Sequence, residues 1–399
     1  MRKVKKSVWS LLLACAMVLT MFPASVWAAE ETEQTVDTGA FTAALQQSRE
    51  AKEIKLTENT TWSNSFSVES GTSAVLDLNG YTLQVPRINV MAGASLTVKD
   101  SSAEGKETTY SGTGKITGSK PDSQLIVVRP DKEGGEGGSF TLESGTIQST
   151  GNMDTIVNGG NLLITGGRIL AGLTEKGTNA ASAVYNSARK DTFGDEASAP
   201  VVCSISGDAY LEADVYTICL FGKGMPNGKL EEVDYDAVQL NIDGGTITGR
   251  QAIATNASSG KYAGFTINMT GGHISDGGHD GTGMYLPGIG KTTISGGSVT
   301  ASQAIRICAG ELKITGGTVT STAAPMEGDM IAGGSGGTNG AVVIGKASNG
   351  YVGDISVSIS GDAVIQNTAN VAEGEIRPTI VVSDKHMAEN VKQTTTLPD

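Results

Sequence analysis

The stretch Ser302-Gln-Ala-Ile-Arg-Ile-Cys-Ala-Gly-Glu-Leu-Lys-Ile-Thr-Gly-Gly-Thr-Val-Thr-Ser321 is the module that the chain repeats from Leu76 onward. Apolar residues alternate with polar ones in three short runs, which is typical of strands with one buried face. The apolar positions are Ile305 and Ile307, Leu312 and Ile314, and finally Val319. The glycine pair Gly316-Gly317 predicts a tight corner with positive φ, a conformation that glycine adopts at low cost. Three strands and three corners make one triangular rung.

The module recurs about ten times, and each copy has an apolar marker near the end of its first strand. The markers are Leu78, Val98, Leu142, Ile164, Ile205, Ile242, Met269, Ile294, Ile314 and Ile359. The matching second-strand positions are Leu83, Ile116, Ile147, Ile169, Tyr210, Ile247, Ile274, Val299, Val319 and Val364. Glycine makes up 54 of 399 residues, about twice its usual share. Both observations indicate a β repeat that turns often.

A repeat of this kind buries its apolar side chains only by stacking rung upon rung, at about 4.8 Å per step. The sequence therefore predicts an all-β fold, a right-handed, single-stranded parallel β-helix of about ten three-strand rungs over residues 76–385. Residues 386–399 are assigned to a C-terminal linker or cut end.

The ends of such a coil expose strand edges, which natural proteins cover. Helical spacing of apolar residues predicts a short N-terminal capping helix within residues 39–52. Trp62, Phe66 and Val68 are expected to complete this cap. Residues 29–75 are therefore assigned to an N-terminal linker and cap.

The first 28 residues are predicted to be a secretory signal peptide. Basic residues at Arg2, Lys3, Lys5 and Lys6 precede an apolar run from Val8 to Phe22. Val26-Trp27-Ala28 then offers the small residues that a signal peptidase recognises. We therefore expect a secreted or cell-surface protein with no membrane insertion once the signal is removed.

Removal of the signal takes away four positive charges and no acids, so the formal net charge falls from −13 to −17. Such a surface repels nucleic acid, anionic lipid and polyuronate chains unless a divalent cation bridges them. Nucleic acid is thus not an expected partner. Three cysteines remain, Cys203, Cys219 and Cys308, with no metal-ligand spacing. We expect neither a disulfide framework nor a zinc site, and we expect a monomer.

Three segments carry a resemblance to a known family. They are Leu76-Asp-Leu-Asn-Gly-Tyr-Thr-Leu83, Leu96-Thr-Val-Lys-Asp-Ser-Ser102 and Gly112-Thr-Gly-Lys-Ile116, followed by repeated I-x-G-G-x-[IV]. The chain from Phe41 to Val382 resembles the pectate-lyase-like β-helix domains of large secreted surface proteins of anaerobic Gram-positive bacteria. This resemblance implies the fold but not one function, because the family includes lyases, hydrolases and adhesins.

The polysaccharide-cleaving members of that fold place carboxylates outward on the strands of a groove. Asp77 is the one carboxylate predicted to point outward from the first strands. The outward residues of the second strands are Thr82, Lys115, Thr146, Arg168, Ala209, Thr246, His273, Ser298, Thr318 and Ala363, with no acid among them. General acid and base pairs are missing from both faces. We therefore favour a protein without catalytic activity.

Long corners between third and first strands distinguish three consecutive rungs, at residues 186–200, 223–236 and 255–264. These corners are expected to emerge within about 10 Å of one another along the coil. They carry the predicted ligand-binding residues Phe193, Tyr235, Tyr262 and Asp234. Aromatic rings beside carboxylates suit sugar stacking and hydroxyl recognition. The same pattern also fits tolerated insertions with solvated charges.

The leading interpretation is a glycan-binding adhesin or adhesive spacer that contacts a host or dietary glycan. No cofactor is required, and calcium is the one ion that the corner carboxylates suit. A first alternative is a polysaccharide lyase or glycoside hydrolase that uses Asp195 and Glu231 as its acid pair. That alternative requires the two carboxylates to converge to about 5–9.5 Å. A second alternative is a structural stalk.

Overall fold

A computed structural model describes residues 52–131, 134–174, 177–255, 261–323, 339–345, 354–370, 377, 379–382 and 392–393. The predicted signal peptide lies outside these residues, as does the capping helix apart from its last position. Lys392–Gln393 is the described part of the predicted C-terminal linker.

Within the described residues, the strands form three parallel sheets of twelve, eleven and eleven strands. The first sheet contains β1 (Lys52–Lys55), β4 (Ser73–Asp77), β7 (Ser95–Lys99), β10 (Ser139–Leu142), β13 (Asn161–Ile164), β16 (Val201–Ile205), β19 (Val238–Ile242), β22 (Thr266–Met269), β25 (Lys291–Ile294), β28 (Gly310–Ile314), β31 (Ile355–Ile359) and β34 (Lys392–Gln393). The second contains β2 (Thr60–Thr61), β5 (Thr82–Val85), β8 (Lys115–Gly118), β11 (Thr146–Gln148), β14 (Arg168–Leu170), β17 (Tyr210–Glu212), β20 (Thr246–Thr248), β23 (His273–Ser275), β26 (Ser298–Ala301), β29 (Thr318–Ser321) and β32 (Val364–Asn367).

The third sheet contains β3 (Phe66–Val68), β6 (Ile88–Val90), β9 (Ile126–Val128), β12 (Ile156–Asn158), β15 (Val184–Ser187), β18 (Tyr216–Phe221), β21 (Gln251–Thr255), β24 (Thr282–Leu286), β27 (Gln303–Ile307), β30 (Val342–Ile344) and β33 (Ile380–Val382). In every sheet, neighbouring strands are three apart in the chain. Each rung therefore contributes one strand to each sheet, which confirms the right-handed parallel β-helix.

Short helices lie in the corners. They are an α-helix, α1 (Lys190–Phe193), and 3₁₀ turns at Ser101–Ala103, Pro226–Gly228 and Leu230–Glu232.

The described coil has eleven rungs, one more than predicted, because β1, β2 and β3 already form a rung before Leu76. The described residues that were expected to complete the cap belong to this rung. Trp62, Phe66 and Val68 are buried in the core, and the first two rings meet edge to face at 4.6 Å. The interior is therefore continuous from the first described strand.

Stacked aliphatic ladders fill the interior. Ile314 pairs with Ile294 on one side and with Ile359 on the other, and all three are buried. The predicted first-strand register is confirmed from Val98 onward. On the preceding rung, however, Val98 pairs with Leu76 rather than with Leu78. This error of two residues keeps the same face inward because side chains alternate with period two.

Two second-strand positions were wrong by one residue. Leu211 pairs with Ile169, so Leu211 and not Tyr210 points inward. Ile365 pairs with Val319, so Val364 is outward and 46% exposed. Both rungs turn through Ser-Gly-Asp-Ala, which takes one residue more than Thr-Gly-Gly. Ala209 is consequently buried, and an acid, Glu212, stands outward on the second sheet.

The glycine pair at each short corner has two separate causes. In the quoted module, Gly317 has φ of 76°, which only glycine adopts without strain. Gly316 is required for a different reason, since a Cβ there would lie 2.4 Å from the Ser295 carbonyl oxygen of the preceding rung. Positive φ therefore fixes Gly317, and close stacking of backbones fixes Gly316.

Candidate functional site

The outer face of the third sheet is the floor of a groove that runs along the coil. Successive outward residues pair in register to form this floor, in the order Val127, Val157, Tyr185, Cys219, Ala254 and Tyr285. Two adjoining cavities, of about 460 Å³ and about 440 Å³, lie over the floor. Both are lined by Asp154 and Tyr185, so we treat them as one groove.

Corners on either side provide the walls of the groove. The first cavity is lined on one side by α1 and Tyr262, which belong to the corners between third and first strands. On the other side stand residues from the corners between second and third strands, such as Gln124 and Asp154. Further along the groove, the second cavity is lined by Tyr216, Phe221 and Pro287. Long corners on neighbouring rungs thus give the groove its depth.

Tyr185 and Phe221 on the third sheet and Tyr262 in the wall form an aromatic cluster in the groove. The Tyr185 and Phe221 rings stack with centroids 4.3 Å apart and an angle of 21°. Phe221 meets Tyr262 edge to face at 5.1 Å. Burial raises the pKa of the Tyr185 hydroxyl above its ordinary value, so this group stays neutral and able to donate a hydrogen bond near neutral pH.

An ion pair supports the aromatic cluster from the solvent side. Arg189 Nε and Nη2 donate to the two oxygens of Asp191 at 2.9 and 2.6 Å. The same guanidinium lies 4.6 Å from the centre of the Tyr262 ring and donates to the Lys261 carbonyl oxygen. Hydrogen bonding to Arg189 lowers the pKa of Asp191. The pair therefore fixes the orientation of Tyr262.

Phe193, the last residue of α1, joins the groove from the same corner as Arg189 and Asp191. A Cβ added to Gly159 would lie 2.6 Å from Phe193 Cε2 and 2.9 Å from Pro130 Cδ. The Phe193 ring therefore packs on the bare backbone of Gly159, and a Cβ at this position would displace the ring. Phe193 also borders a third cavity, of about 500 Å³, on the side of Met91.

The groove contains polar groups that the fold does not satisfy. Gln251 is 1% exposed, and its Nε2 has no hydrogen-bond partner among the described residues. Arg129 Nε is also buried without a partner in that part of the chain. Asp154 accepts a hydrogen bond from Ser182 N at 2.8 Å, but burial raises the pKa of its carboxyl group. Buried groups of this kind are costly unless something pairs with them.

The predicted ligand residues are divided between two places. Phe193 and Tyr262 line the first cavity of the groove. Tyr235 packs on a separate cluster around Val233, with Lys291 Nζ 4.5 Å from its ring centre. Asp234 pairs with Lys223 at 3.2 Å. Neither Tyr235 nor Asp234 lines the groove as described.

The alternative catalytic carboxylates lie in different surroundings. Asp195 borders the third cavity with Glu69 and Glu136, whereas Glu231 is exposed in the turn Leu230–Glu232. None of the cavities found among the described residues is lined by both. The outward acid that the sequence register missed, Glu212, pairs with Arg168 at 3.2 Å.

Tyr185, Phe221, Arg87 and Arg129 were not predicted as site residues. Tyr185 carried a readable signal, since it is an aromatic residue at the outward position of a third strand. Phe221 carried the same signal, since it is an aromatic residue at an outward position of β18. The two arginines gave none, because their places depend on how the corners fold over the sheet.

Among the described residues, no group of three or more His, Cys, Asp or Glu side chains is arranged to hold a metal ion. No helix in that part of the chain is long and apolar enough to cross a membrane. The chain matches no protein-family model, no curated protein and no solved structure. Fold and site together define a parallel β-helix with an aromatic groove on its third sheet.

Proposed function

We propose that the protein is a secreted or cell-surface β-helix that binds a linear glycan in the groove of its third sheet, without cleaving it. The observation that carries this proposal is the aromatic cluster of Tyr185, Phe221 and Tyr262 along a groove that extends over several rungs. The resemblance to pectate-lyase-like surface proteins is consistent with an adhesive role.

The chemistry of the groove suits sugars. Aromatic faces stack on the apolar faces of pyranose rings, and each such contact contributes about 1 kcal/mol. The carboxyl group of Asp154, which lines both cavities, is available for hydroxyl groups. Such polar groups give orientation, while the apolar floor provides contact area.

The length of the groove suits a chain rather than a single sugar. From β9 to β24 the third sheet advances by five strand spacings, or about 24 Å at about 4.8 Å each. Weak contacts repeated along this distance add up only for a ligand that spans them, so binding through several copies of the protein is expected to increase the apparent affinity.

The test is a panel of neutral and anionic glycans, probed with the wild-type protein and with Tyr185→Ala. Loss of one stacking residue is expected to weaken binding by about fivefold per site. Tyr235→Ala is the matched control, because it removes the same side chain from a corner outside the groove. Circular dichroism and melting temperature verify that both variants keep the fold.

Each outcome discriminates between interpretations. If Tyr235→Ala loses binding and Tyr185→Ala retains it, the ligand surface is the edge predicted from the corners and not the groove. If no glycan binds the wild-type protein, the glycan proposal is wrong and a structural stalk is favoured. Release of reducing sugar or of unsaturated product would contradict binding without cleavage.

A further inference from the structure

The two ends of the groove differ in charge. Arg87 and Arg129 line the first cavity at its N-terminal end. No Lys or Arg lines the second cavity among the described residues, whereas Asp154 stands where the two cavities meet. Asp191 also lines the first cavity, but it is paired with Arg189. The N-terminal end of the groove therefore carries two arginines without a paired carboxylate among the described residues, and a stretch without positive side chains follows.

The two guanidinium groups are not neutralised within the described part of the chain. Arg87 donates through Nη2 to Gln124 Oε1 at 2.6 Å and through Nε to the Gln124 carbonyl oxygen at 3.2 Å. Both acceptors are uncharged. Arg129 Nε is buried with no partner, and neither arginine forms an ion pair with a described carboxylate.

Holding these two charges together is unfavourable. Burial lowers the pKa of Arg87, and the neighbouring charge of Arg129 lowers it further. The whole chain has a formal net charge of −13, so a general positive surface does not explain the pair. A bound anion would relieve the repulsion between the two arginines that line the cavity, since a guanidinium matches a carboxylate or sulfate in geometry.

We propose that the groove selects a glycan with one acidic sugar at its end, followed by neutral sugars. The carboxylate or sulfate of that sugar contacts Arg87 and Arg129 directly, and the neutral sugars lie along Tyr185, Phe221 and Tyr216. Asp154 repels a second acidic sugar, so a uniformly charged chain such as a polyuronate is disfavoured. This inference rests on the proposed function and specifies its ligand class.

The experiment compares ligands that share one neutral backbone. Lacto-N-neotetraose, its terminally sialylated form and its terminally sulfated form are titrated into the full chain, with hexagalacturonate as the uniformly charged ligand. We expect each terminally charged form to bind about 10- to 100-fold more tightly than the neutral one, as charge-assisted hydrogen bonds allow. The sialylated and sulfated forms distinguish carboxylate from sulfate, and inorganic sulfate as competitor distinguishes a sugar-borne group from a free ion.

Substitutions show which residues cause the preference for a charged end. Arg87→Gln combined with Arg129→Gln should remove the preference for the charged end, so that this variant binds the charged and neutral forms with affinities within about twofold of each other. Arg168→Gln is the control, because it removes one positive charge from the second sheet. Asp154→Asn should raise the affinity for hexagalacturonate.

The results separate this inference from the proposed function. Equal affinity for charged and neutral backbones, an unchanged preference in the double arginine variant, or tightest binding to hexagalacturonate would each overturn the inference and leave the groove as a glycan site. If only neutral glycans of the wider panel bind, the inference of an acidic terminal sugar is wrong, and the groove remains a glycan site. If no glycan in the panel binds, both fail.

Discussion

Replacement of Ile314 by alanine tests the stacking of the rungs most directly. Ile314 is fully buried and lies between Ile294 and Ile359 in one ladder. The substitution removes three carbons, worth about 2.4 kcal/mol at about 0.8 kcal/mol each. The cavity left behind raises the expected loss of stability to about 3–5 kcal/mol. Because neighbouring rungs share their interfaces, we expect several rungs to unfold together.

The assay is chemical and thermal unfolding followed by circular dichroism, with hydrogen exchange to show which rungs open. Lys313→Ala is the control, since this neighbouring side chain is exposed and such changes usually stay within about 0.5 kcal/mol. A harsher variant, Ile314→Asp, adds the desolvation of a charge in a dry ladder. Wild-type circular dichroism and melting temperature in Ile314→Asp would refute the register and the ladder argued from it.

Three further outcomes are expected. Gly159→Ala should weaken glycan binding while changing the melting temperature little, because the added Cβ displaces the end of the Phe193 side chain; crystallography that shows an unmoved ring would contradict this. Hydrogen bonds from Ala199 and Ser198 outweigh burial and hold the pKa of Asp131 below its ordinary value of 3.8, so its stabilisation is present above that pH and lost as pH falls below it. Asp131→Asn should therefore cost about 1–3 kcal/mol at pH 7 in unfolding titrations, and this cost should shrink as pH falls through the depressed pKa of the folded state. Melting temperature should not respond to reductant, because the cysteines among the described residues are free and buried; a fall of many degrees would reveal a disulfide.

The sequence predicts the coil well because its pattern is local. Ile314 and its partners recur with glycine corners between them. Because side chains alternate along a strand, a strand that buries one face can place either its odd-numbered or its even-numbered residues inward. The errors at Tyr210 and Val364 arise where an aromatic or apolar residue stands on both candidate positions, Tyr210-Leu211 and Val364-Ile365. The pattern alone cannot choose between the two. The longer Ser-Gly-Asp-Ala corner decides it, and its length appears only in the fold.

The groove was predicted less completely because it joins residues that are distant in the chain. Phe193 and Tyr262 were predicted from long corners, and the structure brings both to one cavity. Tyr235 comes from a corner of the same kind but packs towards Lys291 at the start of β25 in the first sheet. Corner length therefore predicts which rungs carry side chains outside the coil. It does not predict over which sheet those side chains fold.

Strands and corners contribute different parts of the site, and this explains how a binding groove can arise on a repeat fold. The interior ladder demands aliphatic residues on every rung, whereas the outward position of a third strand is free to hold Val157, Tyr185 or Ala254 without loss of core packing. Each rung therefore adds one adjustable residue to the floor about every 4.8 Å. Corners such as the one carrying Arg129 add charge at chosen positions along the wall. A groove built rung by rung in this way can bind selectively a ligand that has one charged end followed by neutral units.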